Sequence, residues 1–285
     1  MSASRRTDLV ASFSQWLAEA LRERQARVIG PKGGVHKVDL SPEAVHTIVL
    51  WSKDFSNLLG NACGLKDVLA AYDQLYLHFT ITGLGGTPIE PGVPDYRAAL
   101  AQLPALVALA GDPVRVSVRF DPLLFWEERG QARSNLDIFP EVTEAAAAVG
   151  IRDIRVSFAQ WYGKAARRAS ARGFAFYVPS EAEQRSRALE LAAISAAQGL
   201  VLHACSQPAL AGIPGIRPSA CIDGALLESL HPRREQASRR KDRGQRAACL
   251  CTESKDIGSY TQACPHACVY CYANPRQSSP GPFSG

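Results

Sequence analysis

The chain lacks the features that would carry it into or across a membrane. Its start, Met1-Ser-Ala-Ser-Arg5-Arg6-Thr-Asp8, has none of the apolar core of a secretory leader. No run approaches the roughly 18 apolar residues of a membrane span. No repeat of fixed period stands out, so an array of stacked units is not expected. Charge of one sign is scarce too: the net +5 over 285 residues is mildly basic and by itself names no partner. What is present is 46% hydrophobic against 21% charged residues, which excludes a disordered chain and leaves a sizeable core. The expectation is a soluble cytoplasmic protein with no membrane partner. In that compartment eight cysteines are metal ligands or free thiols sooner than disulfides.

Residues 9–25 carry Leu9, Phe13, Trp16, Leu17, Ala20 and Leu21 at helical spacing, which predicts an amphipathic helix. A short strand-to-loop segment precedes it and ends in Asp8, a candidate helix cap. A turn at Pro31/Gly33-Gly34 separates extended pieces near 26–29 and 35–40. Strands are then expected near 46–52, 75–81, 114–120, 153–158 and 200–205, with a further one near 217–221. Helices are expected near 64–72, 95–110, 137–149, 181–198 and 222–230. This alternation predicts an α/β fold with a parallel sheet. Seven or eight strands favour a TIM-type (β/α) barrel, complete or partial, over residues 1–231. Residues 232–275 form a basic, cysteine-rich extension expected to pack at the barrel mouth, and 276–285 read as a disordered tail.

Within the strands one parity is apolar and the other polar. Leu75, Leu77 and Phe79 alternate with Tyr76, His78 and Thr80, and Val116 and Val118 with Ser117, Arg119 and Asp121. Ile154 and Val156 alternate with Arg155 and Ser157, and Leu202 is followed by His203. Side chains alternate across a strand, so the apolar parity should face helices and the polar parity a roomy lumen. Chemistry in such folds belongs at the C-terminal strand ends. Those ends supply Lys53, Thr80, Thr82, Gly83, Arg119 and Asp121. Lys53 and Arg119 are candidates to bind an anionic group, and the Gly83/Gly85/Gly86 loop can bring backbone amides to a carboxylate or phosphate, or be a plain turn.

The densest chemistry lies near the end, in Cys264-Pro-His-Ala-Cys268-Val-Tyr270-Cys271-Tyr-Ala-Asn274. A loop with C-x3-C-x2-C spacing can wrap three thiolates around three irons of a [4Fe–4S] cube. Full ligation takes four cysteines, so one iron stays open to a small molecule. A structural zinc knot competes with that reading. With Cys63 set aside as a free thiol, four cysteines remain: Cys205, Cys221, Cys249 and Cys251. Four thiolates complete a closed metal site, which points to a second [4Fe–4S] cluster, against which Cys205 and Cys221 read equally as buried small hydrophobes. Seven Lys and Arg residues crowd 233–246. Such a run can meet nucleic-acid phosphates, but without interleaved aromatics a solvated loop is favoured.

C-x3-C-x2-C with an aromatic before the last cysteine resembles the cluster signature of the radical S-adenosylmethionine (SAM) enzymes, in the form of their spore photoproduct lyase-like branch. The chain also resembles an uncharacterised prokaryotic family through Ser2–Asp8, Trp51–Asp54, Phe79–Gly83, Arg119–Pro122, Cys221–Asp223, Asp256–Gly258 and Cys264–Asn274. Ser52-Lys53-Asp54, then Phe79–Thr82 and Ile89-Glu90-Pro91, is similar to the middle of spore photoproduct lyase-like proteins, where the three-cysteine motif comes first instead of last. The resemblance implies a permuted radical SAM barrel. Its cofactors would be SAM and one or two [4Fe–4S] clusters, its electron donor a flavodoxin or ferredoxin, and its substrate a small molecule or nucleotide of unknown identity. It further implies Cys264, Cys268 and Cys271 as cluster ligands, Tyr270 as an adenine-packing aromatic, and Arg5, Arg6 and Asp8 meeting at the same rim. The competing class is a non-catalytic iron–sulfur or zinc-stapled barrel that binds a ligand or senses redox state.

Overall fold

The computed structural model describes residues 1–29, 34–210, 212–259 and 262–273. The turn at Pro31/Gly33, Asn274 and the tail over 276–285 lie outside the described residues. The first half of the chain supplies strands β1 (Ser2–Ala3), β2 (Gln25–Ile29), β3 (Val35–Asp39), β4 (Ile48–Ser52), β5 (Leu75–Thr80) and β6 (Val116–Leu123). The second half supplies β7 (Phe125–Glu128), β8 (Gln131–Ser134), β9 (Asp153–Phe158), β10 (Ala175–Phe176), β11 (Val201–Cys205) and β12 (Ile216–Ser219). Between them run α1 (Leu9–Ser12), α2 (Ser14–Arg22), α3 (Ser56–Leu59), α4 (Leu65–Leu69), α5 (Tyr96–Leu100) and α6 (Leu103–Ala110). Four more follow: α7 (Phe139–Ala148), α8 (Gly163–Ala171), α9 (Glu181–Ala197) and α10 (Gly224–Leu230).

Seven strands form one parallel sheet in the order β1-β4-β5-β6-β9-β11-β12. The order follows the chain, as expected when each strand is joined to the next by a helical crossover. Leu77, Phe79, Val116, Val118, Phe120, Ile154, Val156 and Leu202 are buried in the main core together with Leu103, Leu106, Phe139, Val142 and Leu191 of the helices. The predicted apolar parity therefore does face helices.

Some elements differ from expectation. The single helix over 9–25 is broken at Phe13 (φ −137°, ψ 35°). Its first turn is held by the Asp8 cap against β4, while α2 swings onto α4 and β2. A three-stranded antiparallel sheet, β10-β7-β8, has no counterpart in the predicted elements. Its hairpin turns on Arg129 and Gly130, both at positive φ (53° and 73°), the backbone that a two-residue turn demands.

The expected barrel is not closed: β1 and β12 are the end strands of the sheet and do not pair with each other. The C-terminal extension runs through the gap instead. Thr252 N donates to Ile222 O (2.9 Å), just past β12. Ser2 N donates to Lys255 O (2.8 Å), and Ile257 N to Ser2 O (3.1 Å), along the outer edge of β1. An eighth strand would need a run of paired residues, whereas here a single residue of β1, Ser2, bridges to 255–257. Asp256 anchors it, accepting from Ser2 Oγ (2.7 Å), Ser4 Oγ (3.1 Å) and Arg5 N (3.0 Å) and pairing with Arg6 Nε at 3.3 Å. Gly258 fits only because it has no side chain, since a Cβ there would stand 1.8 Å from Ser4 Oγ.

The polar parity does line the opposite face, but that face is filled, not roomy. Arg155 Nε donates to Ser219 Oγ (3.0 Å), and its other nitrogens reach Ser117 Oγ and Tyr76 OH. His78 Nε2 lies 2.7 Å from Cys221 O, and the Trp51 ring stacks on the imidazole at 4.9 Å. Tyr76, His78, Ser117, Arg155 and Ser219 are all buried. Long side chains crossing between strands take the volume that alternation alone left open.

Replacing Asp256 by Ala removes an anion that four groups share, and should lower the unfolding free energy by roughly 3 kcal/mol. Urea unfolding at unchanged m-value measures this; a loss under about 1 kcal/mol would mean the extension is not anchored there.

Candidate functional site

The parallel strands all end at one edge of the sheet, and both cysteine sets gather there. The three-cysteine loop is seated by its backbone. Val269 N donates to Ile89 O (2.9 Å) and Gly92 N to His266 O (3.1 Å). From α8, Arg168 Nη1 donates to Val269 O and Cys271 O (both 2.9 Å), and just past that helix Arg172 Nη1 donates to Ala267 O (3.3 Å). Gly92 permits this approach: a Cβ there would meet Pro265 O at 2.1 Å.

His266, inside the motif, ties the loop to the first strands. Its Nδ1 faces Gly92 O at 2.9 Å and its Nε2 faces Asp8 Oδ2 at 2.8 Å. Asp8 also accepts from Ala11 N (3.0 Å), Ser52 Oγ (2.9 Å) and Lys53 N (2.9 Å). Burial pushes the Asp8 carboxyl up, but the His266 hydrogen bond and charge, with the amides, prevail and hold it below its usual range. Burial likewise disfavours the imidazolium, and Asp8 overcomes that and raises His266. Both ring nitrogens face acceptors, as an imidazolium requires.

A second hub, Glu90, is fully buried beside the loop. Its Oε1 accepts from Thr82 Oγ1 (2.6 Å), Lys53 Nζ (3.0 Å) and Tyr270 OH. Its Oε2 is buried and has no hydrogen-bond partner among the described residues. Lys53 Nζ lies 5.8 Å from the Tyr270 ring centroid. Burial opposes the Lys53 charge, while Glu90 and the neighbouring Cys268 restore it and raise its pKa. Burial, then Glu90, pushes the Tyr270 hydroxyl up. Tyr270 is thus turned to Glu90 among Leu84 and Ile89, not presented as the expected adenine-packing face. Burial raises the Cys264 thiol to about 11 and also raises Cys268 and Cys271. Such thiols become ligands when a metal displaces their protons.

The remaining four cysteines come together from three parts of the chain. Cys205 ends β11, Cys221 lies just past β12, and Cys249 and Cys251 belong to the extension. Cys205 Sγ and Cys221 Sγ are 3.5 Å apart. Cys249 and Cys251 are buried in one apolar cluster, against which Cys221 packs. Ile222 N donates to Cys251 Sγ (3.4 Å), and Arg119 Nη1 to Cys221 Sγ (2.7 Å). Donation from the Cys205 and Cys251 thiols, and the Arg119 charge, hold Cys221 well below a normal thiol against the effect of burial. Cys63 is exposed and joins neither set.

Several candidates have other partners than expected. Arg119 and Asp121 pair with each other; Arg119 serves Cys221, and Asp121 accepts from Ser157 Oγ. Thr80 closes β5, in register with Arg119. Gly83 (φ 76°) serves close packing, because a Cβ would stand 2.8 Å from Ile138. Gly86 N already donates to Val93 O (2.8 Å), so the loop's amide there is committed internally. Arg5 Nη1 binds Asp242 (2.7 Å) and its guanidinium stacks over Trp51 at 5.7 Å, on the four-cysteine side. Asp8 faces the loop, so the two share a segment but not a single rim position. Within the basic run, Arg233 pairs with Asp73, Arg239 with Glu228 and Arg240 with Glu253. That favours the solvated-loop reading over a nucleic-acid face. Among the described residues, no helix is long and apolar enough to cross a membrane.

Sequence reasoning did not single out Glu90, His266, Gly92 or Arg168. The first two lie inside segments already conspicuous, Ile89-Glu90-Pro91 and Cys264-Pro-His266, and that adjacency was the available signal.

The chain belongs to the family described as a domain of unknown function (DUF1848), whose model matches residues 1–273. No curated protein matches it.

Gly92→Ala forces the loop and the 89–92 segment apart, at a cost of about 1–3 kcal/mol of overpacking. The expected outcome is faster limited proteolysis within 262–273 than in the unsubstituted chain. Unchanged cleavage would mean that the loop is not held by this contact.

Proposed function

We propose that the chain is an iron–sulfur enzyme of the radical SAM type in permuted form. In this reading the sheet and its crossovers are a partial (β/α) barrel, and Cys264, Cys268 and Cys271 hold a site-open [4Fe–4S] cluster at its C-terminal edge. The observation that carries it is the seating of these three cysteines over that edge, beside a buried carboxylate with one unpartnered oxygen. When bound, such a cluster supplies the electron that splits the SAM sulfonium into methionine and a 5′-deoxyadenosyl radical, which takes a hydrogen atom from the substrate.

The chain's own residues hold and orient. Glu90 Oε2 is the acceptor suited to the SAM ammonium, a buried oxygen that otherwise lacks a donor. Lys53 keeps the Glu90 charge balanced, and Thr82 and Tyr270 fix the carboxylate through Oε1. His266 and Asp8 lock the loop to the end of β4, so the cysteine side chains are preorganised before the cofactor arrives. Electrons come from a flavodoxin- or ferredoxin-class donor.

The test is anaerobic reconstitution with iron and sulfide, then dithionite and SAM, with 5′-deoxyadenosine as readout. The unsubstituted chain should form it and Cys268→Ala should not. Glu90→Gln should lower kcat/KM for SAM by about 10- to 100-fold, as expected for losing a hydrogen bond to a charged group. A brown protein that makes no 5′-deoxyadenosine would favour a redox sensor or carrier, and a colourless zinc protein would end the reading.

A further inference from the structure

We propose that Cys205, Cys221, Cys249 and Cys251 form a second, closed site that holds its own [4Fe–4S] cluster and works as a one-electron carrier. The inference stands apart from the reactivity of the loop. Three segments remote in sequence converge on the spot: Cys205 Sγ and Cys221 Sγ are 3.5 Å apart, Ile222 N donates to Cys251 Sγ at 3.4 Å, and Cys221, Cys249 and Cys251 share one apolar cluster. Four thiolates leave no iron of a cube without a protein ligand. The site therefore has no open position for a substrate.

The sequence spacing favours a cube over a single zinc ion: zinc knots bring two cysteines from a C-x2–4-C turn, whereas Cys249-Leu250-Cys251 has one intervening residue. Elsewhere among the described residues, Asp73, His231 and Glu235 bring three ligand atoms within 4.8 Å of one another. Arg233 already bridges those two carboxylates, at 2.5 Å from Asp73 and 3.3 Å from Glu235, so a cation is in place there.

The surroundings suit a buried anionic cluster. Arg119 Nη1 and Ile222 N donate to Cys221 and Cys251 sulfurs, and Arg5 lies on the same side. Val49, Tyr76, Ile222 and Leu227 wall the set, with Trp51 packed against them. Hydrogen bonds to sulfur and exclusion of water are what set a cluster's potential. A cluster here would take one electron from a flavodoxin- or ferredoxin-class donor, passing from its 2+ to its 1+ state, and would return to 2+ by giving that electron to an oxidised iron–sulfur or flavin acceptor, with no bond made or broken.

The deciding protein is the full chain carrying Cys264→Ala, Cys268→Ala and Cys271→Ala, which leaves this site untouched. After anaerobic reconstitution it should keep about four irons and four sulfides per chain. Dithionite should then give the electron paramagnetic resonance signal of one reduced cube. Adding Arg119→Leu to it should leave the iron count unchanged and lower the potential, so that the same dithionite reduces a smaller fraction. Adding Cys249→Ser/Cys251→Ser to the triple variant instead should abolish the bound iron. The proposal is overturned if the triple variant holds no iron, or holds one zinc without absorption near 400 nm. SAM cleavage plays no part in these readouts, so this site and the reading of the loop stand or fall separately.

Discussion

Everything at the functional edge depends on how β1 is satisfied. Two residues cannot make a stable edge strand, because their outward amides and carbonyls would be left in a buried setting. Ser2 and Ala3 are fully buried, with β4 on one side and residues 255–257 on the other. The Asp256 carboxylate then collects the donors of Ser2, Ser4, Arg5 and Arg6. This contact places the segment 4–8 at the strand ends. Losing it would disturb both cysteine sets, although neither touches Asp256.

The same edge carries two hubs of different kinds. Around Glu90, a carboxylate is buried with a lysine, a threonine and a tyrosine. Around Cys221, sulfur is surrounded by other thiols and an arginine. Deep burial of such groups is tolerated only when partners are in place, which explains why Arg119 and Arg155 reach across strands instead of to solvent. Between the hubs runs the end of β4, with Trp51 on the thiol side and Lys53 on the carboxylate side. One strand end thus divides the edge into two chemically separate halves.

Much of the frame was legible in the sequence, because parallel strands with helices on one face write a clear alternation: Leu77 and Phe79 point one way, Tyr76 and His78 the other. What alternation cannot give is reach. Arg155 was assigned to the polar face, but only its length carries it to Ser219, Ser117 and Tyr76 and fills the expected space. The Arg129-Gly130 hairpin lacks the Asn-Gly or Asp-Gly signature, so β7 and β8 left no obvious mark. Glu90 sits in a proline-containing loop with no period, and its partners Lys53 and Tyr270 are distant in sequence. The four remaining cysteines were grouped by elimination alone, and the fold brings them into contact through strand order. The motif at 264–271 showed the loop's composition but not its anchors, because His266 and Gly92 act through residues as remote as Asp8.

The pairing of Asp8 with His266 and of Ser2 with residues 255–257 joins the first few residues to almost the last described ones. During synthesis the N-terminal strand and its helix must wait, with one edge unpaired, until nearly the whole chain has left the ribosome. Contacts of such separation form late and leave intermediates with exposed edges. The cysteine-rich segment is then also the closing piece of the fold, so its docking is the step that covers the open edge of β1 and completes the strand-end face.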